Sequence, residues 1–444
     1  MIRTRILETL KLSLDKSISI HLQDNPGVIG LSYGLSFQGV GKFSSSFGFA
    51  DLETRRVLTI RDQLRVGSVT KLFTLLMLLK AVSLAKVTFS TTLNEIFPQT
   101  FKDKTGNLTL LHLVTHTAGL PRDVESIYWQ QFPTSEELLN VIVRIDPVFF
   151  QNQKYKYSNI GYYIVGLALE RIFKKTYPEI LNDLVLEPLA LTRTSLKPMP
   201  GSANGYSIGQ DNTIIKQMPL ELKGLAPAGQ LYSSAEDLTS FLDILLTNDD
   251  AFVPHLLKHE LFLPRHFGLT PDSFTAMGTR CLTIENRRVY FLSGHLPGFC
   301  STVCLVPDLG LSFNMMTNSD TLLFSLAKAI IRSILPLVEK HFRCIKDMNA
   351  SQPSWAHLLE YRGLYQDQFD GSRFQLAVLS NRLGVVDSAL PGLFDEATLC
   401  PIDKVDHFLI VGGPYDGEVA FFERNSDRSI KILRYASSQC QRVS

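Results

Sequence analysis

At 444 residues the chain is too long for one ordinary domain, and its 45% hydrophobic and 20% charged residues match a globular protein with a large core. The net charge is +1, and Lys and Arg gather only in isolated pairs such as Arg55-Arg56, Lys174-Lys175 and Arg287-Arg288, which argues against nucleic acid or an anionic membrane as partner. The six cysteines are scattered without a Cys-x-x-Cys, so reduced thiols are expected.

Residues Met1 to Leu22 mix Arg3, Arg5, Glu8, Lys11, Asp15 and Lys16 with apolar residues at helical spacing, and read as an amphipathic first helix. They lack the unbroken apolar stretch of a signal peptide, and the most apolar run, Leu72 to Leu84, contains Lys80 and is too short to span a bilayer. A cytoplasmic protein with no membrane span is the expectation. Gly27 to Phe37 and Gly41 to Ala50 read as a hairpin at a sheet edge, and Ser68 to Ala85 as a long helix. Residues 107 to 245 read mainly as helices and loops, with helices at Asn107 to His116, Ser135 to Arg144, Asn159 to Lys174, Tyr177 to Val185 and Ser234 to Thr247. The period then changes. Arg287 to Leu292, Cys300 to Val306 and Gly310 to Met316 are three successive strands, with turns at Gly294/Pro297/Gly298 and Pro307-Asp308, before a helix from Thr321 to His341.

Strands at both ends with helices between them imply an α+β layout whose sheet is completed by distant parts of the chain. Domain boundaries are expected at residues 1–345, with 346–354 (Lys346 to Ser354) as a linker by composition and 355–444 as a small antiparallel β-barrel or sandwich. Its strands are expected at Tyr361 to Tyr365, Phe374 to Leu379, Leu383 to Val386, His407 to Val411, Glu418 to Glu423 and Ile430 to Tyr435, and Gly412-Gly413 reads as a β-turn.

A serine hydroxyl needs a neighbouring base to become a nucleophile. In Ser68-Val69-Thr70-Lys71 the serine and lysine are three residues apart and share a helical face, with Ser68 at the helix start. The helix N-terminus favours an oxyanion, and partial burial would lower the pKa of Lys71. The pattern alone is weak, for it occurs four times: Ser13/Lys16, Ser68/Lys71, Ser83/Lys86 and Ser325/Lys328. Only Ser68 follows a strand-to-helix break, Val66-Gly67, and precedes the core-forming run Leu72 to Leu79. Tyr157-Ser158-Asn159 supplies a second constellation. A tyrosine beside Lys71 could share its proton, acting as base toward Ser68 and acid toward a leaving group, and Asn159 could bond both Lys71 and a substrate carbonyl. Read blandly, the same residues are a packed loop tyrosine and a helix cap.

Five blocks in order make the chain similar to the β-lactamase-related serine hydrolases: Val66-Gly67-Ser68-Val69-Thr70-Lys71-Leu72-Phe73-Thr74, Leu113 to Leu120, Tyr157 to Tyr163, Ala228 to Leu238 and Pro297-Gly298-Phe299. That family includes class C β-lactamases, penicillin-binding proteins, D-amino-acid peptidases, esterases and acyltransferases. The resemblance covers about residues 20 to 340. It implies a β-lactamase/transpeptidase-like antiparallel sheet flanked by helices, with a helical subdomain, and the C-terminal segment more weakly resembles an appended lipocalin-like β-domain. It also implies Ser68, Lys71 and Tyr157 as catalytic residues, Asn159 as a substrate contact, and an oxyanion hole from the N–H groups of Ser68 and His295, with Gly294 allowing close approach of substrate.

One block departs. Where the family usually reads Lys-Thr-Gly, His-x-Gly or Trp-Gly-Gly, this chain has Leu292-Ser293-Gly294 followed by His295, which argues against a carboxylate anchored by a cation there unless a shift of the strand by a few residues lets His295 take that place. His112/His116 and His255/His259 have metal-like spacing without a third ligand, so neither metal nor cofactor is expected. Arg122 and Asp123 follow a family block, but the sequence assigns them no role. The expected activity is hydrolysis of ester or amide bonds in a small-molecule or peptide-like substrate. The alternatives are acyl transfer or transpeptidation from the same acyl-enzyme, or a scaffold that kept the fold without the chemistry; self-association into a homo-oligomer is left open.

Overall fold

A computed structural model describes residues 2–443 apart from 125–131, 210, 212, 268–272, 350–357, 369–370, 372, 380–381, 389–397, 403–404, 412–417 and 436–437. The chain divides into two compact units, Met1–Arg343 and Cys344–Ser444.

In the first unit a nine-stranded antiparallel sheet runs in the order Arg56–Val57, Gly41–Asp51, Gly30–Phe37, Leu311–Thr317, Phe299–Val306, Arg287–Leu296, Arg280–Ile284, Ser273–Thr275, His266–Phe267. The join between the two ends of the unit is the pairing of Gly30–Phe37 with Leu311–Thr317, in register from Leu31↔Thr317 to Phe37↔Leu311. Gly30–Phe37 is buried throughout, because it is central in the sheet and packed under the helix Ala235–Leu246. The first helix, Ile2–Asp24, buries Ile6, Leu10, Leu14 and Ile18, a stripe at every fourth residue.

The helix Thr70–Ser83 is buried on every face from Thr70 to Leu79, and Phe73 stacks on Phe241 with ring centroids 3.6 Å apart. Its buried Thr74 hydroxyl donates to the Pro227 carbonyl at 2.7 Å, so the polar group carries no desolvation debt. Asn159–Phe173 packs against this helix, and its N-terminus is capped by Ser158, whose Oγ accepts from Gly161 N at 3.1 Å and donates to the Pro121 carbonyl at 2.6 Å.

The structure departs from the sequence reading at several points. Gly294 lies within the strand Arg287–Leu296 rather than in a turn; the turn is confined to Pro297-Gly298, where Gly298 has φ +77°. The segment 107–245 includes the hairpin Gly205–Ile208/Ile214–Gln217 and the strand Tyr232–Ser233, which pairs with Leu64–Arg65, all too short for a periodicity of two to declare itself. Tyr177–Leu181 is followed by a wider π turn, Asn182–Leu186. The last helix spans Phe324–Asn349, so residues 346–349 of the expected linker are helical, and 350–354 lie outside the described residues.

The second unit contains a closed barrel of eight antiparallel strands: Gly363–Asp367, Arg373–Leu379, Arg382–Ser388, Thr398–Pro401, His407–Val411, Val419–Arg424, Ile430–Tyr435 and Ser438–Arg442. Tyr365, Phe374, Leu376, Phe408, Phe422 and Leu433 are among the buried residues that form its core. Closure comes from Gly363–Asp367 pairing with Ser438–Arg442, which leaves no open sheet edge. The Gly412-Gly413 turn lies outside the described residues.

Candidate active site

Ser68 sits on the short 3₁₀ turn Gly67–Val69 that leads into the helix Thr70–Ser83. Gly67 has φ +51°, and a Cβ there would come within 2.9 Å of His295 N. On the facing strand, a Cβ on Gly294 would lie 2.0 Å from the Val66 carbonyl and 2.8 Å from Ser68 N. Two glycines thus let the strand edge and the turn meet backbone to backbone, which gathers the N–H groups of Ser68 and His295 in one place. The neighbouring strand Arg280–Ile284 pairs with Arg287–Leu296 only as far as Phe291, so the strand edge beyond that residue is open to the turn. Ser301 Oγ donates to the Val66 carbonyl at 2.7 Å and holds the joint.

Lys71 is completely buried. Its Nζ lies 3.2 Å from Ser68 Oγ, 2.9 Å from Asn159 Oδ1 and 2.7 Å from the Ala228 carbonyl. Burial drives its pKa down to about 7, with the Asp123 charge opposing and the Arg122 charge assisting that shift. A neutral amine has two N–H bonds and one lone pair. Two of its three neighbours are carbonyl oxygens that can only accept, so both protons go to Asn159 and Ala228 and the lone pair is left facing Ser68 Oγ. The geometry therefore favours lysine as proton acceptor from serine.

Tyr157 OH lies 2.7 Å from Ser68 Oγ, and the tyrosine's pKa is raised chiefly by burial, with the Ser68 hydrogen bond and Arg122 pulling the other way. At neutral pH the phenol keeps its proton, and when the Ser68 hydroxyl is turned toward Lys71 the phenol is the donor to Ser68 Oγ. The Lys71 ammonium position is 4.9 Å from the Tyr157 ring centroid and 5.4 Å from that of Tyr162. His116 backs the tyrosine from behind, ring centroids 4.5 Å apart, and its Nδ1 accepts from Ser158 N at 3.1 Å. Burial, reinforced by the charges of Lys71 and Arg122, holds the His116 pKa well below its ordinary value.

Of the residues singled out in sequence, Ser68, Asn159 and His295 line one cleft, Lys71 and Tyr157 contact Ser68 Oγ, and Gly294 lies against the Ser68 turn. Leu292 does not join them, because its side chain is buried in the hydrophobic core while Ser293 and His295 face outward. His295 carries its imidazole at the cleft, with Nε2 3.5 Å from Asp320. The metal-like histidine pairs have other partners: His112 contacts Thr109 N and Asn152, His116 contacts Ser158 N, and His255 contacts Asp250. The other three Ser-x-x-Lys pairs lie on helices Ile2–Asp24, Thr70–Ser83 and Phe324–Asn349 or just beyond their ends, away from Tyr157 in the hydrogen-bond network described above.

Three contributors were given no role in the sequence reading, although Arg122 and Asp123 were placed where they could line the cleft. The Ala228 carbonyl acts through the backbone, which leaves no residue-type signal. Asp123 accepts from Asn159 Nδ2 at 2.8 Å, and the Arg122 guanidinium lies 5.1 Å from the Tyr157 ring centroid. Their adjacency to the Leu113 to Leu120 block was the available hint. The cleft holds about 250 Å³ and is walled by apolar residues including Val124, Phe132, Leu222 and Leu225.

The α+β fold thus sets a buried lysine against a serine at a helix start, with a tyrosine on the other side and a glycine-bearing strand edge opposite. The Beta-lactamase family profile matches residues 18–334, and the chain belongs to that family. It is 22% identical over 328 residues to Protein flp of Staphylococcus aureus, a match that covers 72% of this chain and 65% of that protein's length. Among solved structures it resembles the octameric penicillin-binding protein homologue from Pyrococcus abyssi, at 18% identity over 98% of this chain and 99% of that one, with a TM-score of 0.64. It also resembles D-amino acid amidase from Ochrobactrum anthropi, at 19% identity over 75% of this chain and 99% of that one, with a TM-score of 0.65.

Proposed function

We propose that the protein is a serine hydrolase that cleaves ester or amide bonds of small or peptide-like substrates through an acyl-enzyme on Ser68. The observation that carries this reading is the hydrogen-bond set of Lys71, which leaves its lone pair facing Ser68 Oγ. The Ser68 hydroxyl proton passes to Lys71 Nζ as Oγ bonds to the carbonyl carbon. The oxyanion that forms is received by the N–H groups of Ser68 and His295. As the bond to the leaving group breaks, Tyr157 gives it a proton and regains one from Lys71. Water then attacks the acyl-enzyme by the reverse relay and frees Ser68. An amine acceptor in place of water would make the same intermediate an acyltransferase, and added amine nucleophiles that divert product distinguish the two.

An acyl-phosphonate probe followed by mass spectrometry tests the reading. An adduct on Ser68, absent from Ser68→Ala, is expected; a folded protein that no such probe labels would identify a scaffold instead. Lys71→Ala should acylate at least a hundredfold more slowly while remaining folded. The same reading extends to the remaining features. The five described cysteines are free, which suits a cytoplasmic setting, and the described residues include no helix long and apolar enough to cross a membrane. The eight-stranded barrel is taken as a lipocalin-like accessory domain. A homo-oligomer is part of the same proposal, supported by the likeness over nearly the whole chain to a homologue described as octameric, and light scattering tests it.

A further inference from the structure

A second cavity shares a wall with the active-site cleft. The short helix Ala226–Gly229 gives Ala228 and Gly229 to the cleft, and Ala226 and Pro227 to this cavity, which holds about 170 Å³. Its walls are fixed by hydrogen bonds of their own. Thr74 Oγ1 spends its proton on the Pro227 carbonyl at 2.7 Å, so Tyr177 OH is the donor to Thr74 at 2.8 Å, and Tyr163 OH donates to the Ser135 carbonyl. The space is therefore a feature of the packed fold, and no group of the proton relay lies in it.

One carboxylate is set among these largely apolar walls. Glu170, half-buried on the helix Asn159–Phe173, accepts from Tyr177 N at 2.7 Å through Oε1, and among the described residues it has no other hydrogen-bond or ion-pair partner. Burial raises its carboxyl pKa above the ordinary value, with the Tyr177 N–H opposing. Lys223, the cation among the lining residues, is exposed, and its charge acts on Glu137 instead. Capping Tyr177 N occupies one carboxylate oxygen, which leaves a half-desolvated charge without a counter-ion beside an open space.

We propose that this cavity is a ligand site, separate from Ser68, for a small organic ammonium ion whose charge pairs with Glu170 and whose apolar body packs on Leu167, Leu196 and Pro227. The lining selects that class. A metal ion finds one carboxylate and no histidine or cysteine there, an anion meets the charge of Glu170, and a neutral ligand leaves that charge unpaired. The apolar walls add affinity only for a cation that carries hydrocarbon.

The test titrates the full chain, with leucine methyls labelled for NMR, with cyclohexylammonium and with cyclohexanol as its neutral match. The ammonium ion is expected to bind in the millimolar range, as befits a ligand of so few atoms, and about tenfold tighter than the alcohol. The methyl resonances of Leu167 and Leu196 should move with occupancy, while those of Leu222 and Leu225 in the active-site cleft report binding at the other site. Glu170→Gln keeps an acceptor for Tyr177 N and should weaken the ammonium ion about tenfold, to the level of the alcohol. Should that variant fail to fold, the preference of the wild type for the ammonium ion together with the Leu167 and Leu196 shifts decides the matter. No saturable shift at those two residues, equal affinity for the alcohol, undiminished binding in folded Glu170→Gln, or shifts confined to Leu222 and Leu225 overturns the proposal. Because no step uses Ser68, the outcome is independent of the serine-hydrolase reading.

Discussion

The pH dependence of acylation follows from the buried lysine. If neutral Lys71 is the base and its pKa is about 7, roughly 9% of the protein is competent at pH 6 and about 91% at pH 8. Single-turnover acylation by a neutral activated ester should therefore rise about tenfold between those values and level off above pH 8. A lysine with its ordinary value of 10.5 would give about a hundredfold rise over the same interval with no plateau. The neighbouring charges fix the direction in which variants move this limb. Asp123 raises the Lys71 pKa, so Asp123→Asn, which still offers an acceptor to Asn159, should shift the limb to lower pH; Arg122 lowers it, so Arg122→Leu should shift the limb to higher pH. Stopped-flow measurements from pH 5 to 9 decide the matter, and a flat profile, or shifts of the opposite sign, would refute the assignment of Lys71 as base. The same shift has a thermodynamic signature. The folded state holds fewer protons than the unfolded chain between the folded and ordinary lysine values, so this group adds stability as pH rises from about 7 to 10.5. Denaturant melts of wild type and Lys71→Met should diverge with pH in that window.

Gly294→Ala should lower stability by about 1–3 kcal/mol and abolish Ser68 labelling, because the added Cβ meets the Val66 carbonyl and Ser68 N; thermal melts and probe labelling check both effects. Phe73→Ala should cost about 3–5 kcal/mol, since it empties a fully buried stack against Phe241, and a denaturant titration reads the loss. Ser158→Ala removes a helix cap next to Tyr157, with an expected cost of about 1–2 kcal/mol and slower acylation, measured by melting and by labelling rate.

Much of the site was legible because its logic is local. Ser68 and Lys71 share one helical turn, and the break at Val66-Gly67 and the apolar run after Lys71 separated that pair from the three other Ser-x-x-Lys sequences. Tyr157-Ser158-Asn159 announced itself as a cap followed by an apolar helix. The barrel was legible as strands but incomplete: Thr398–Pro401 is four residues long and ends in proline, and Ser438–Arg442 reads Ser-Gln-Cys-Gln-Arg, polar enough to pass for a tail. Neither strand looks like one until its neighbours supply the hydrogen bonds.

The sequence by itself pointed to the Ser68/Lys71 pair, the α+β order of elements and the β-rich C-terminal unit, because spacing along a helix and alternation along a strand are properties of neighbouring residues, while Tyr157 was singled out through the resemblance to a family. Tertiary structure decided the rest. Whether Lys71 is a base depends on burial and on the Ala228 carbonyl, 157 residues away in sequence. Whether the cleft carries a cation depends on Leu292 turning into the core and Arg122 lying over Tyr157, contacts between segments whose meeting only the folded sheet and helices bring about.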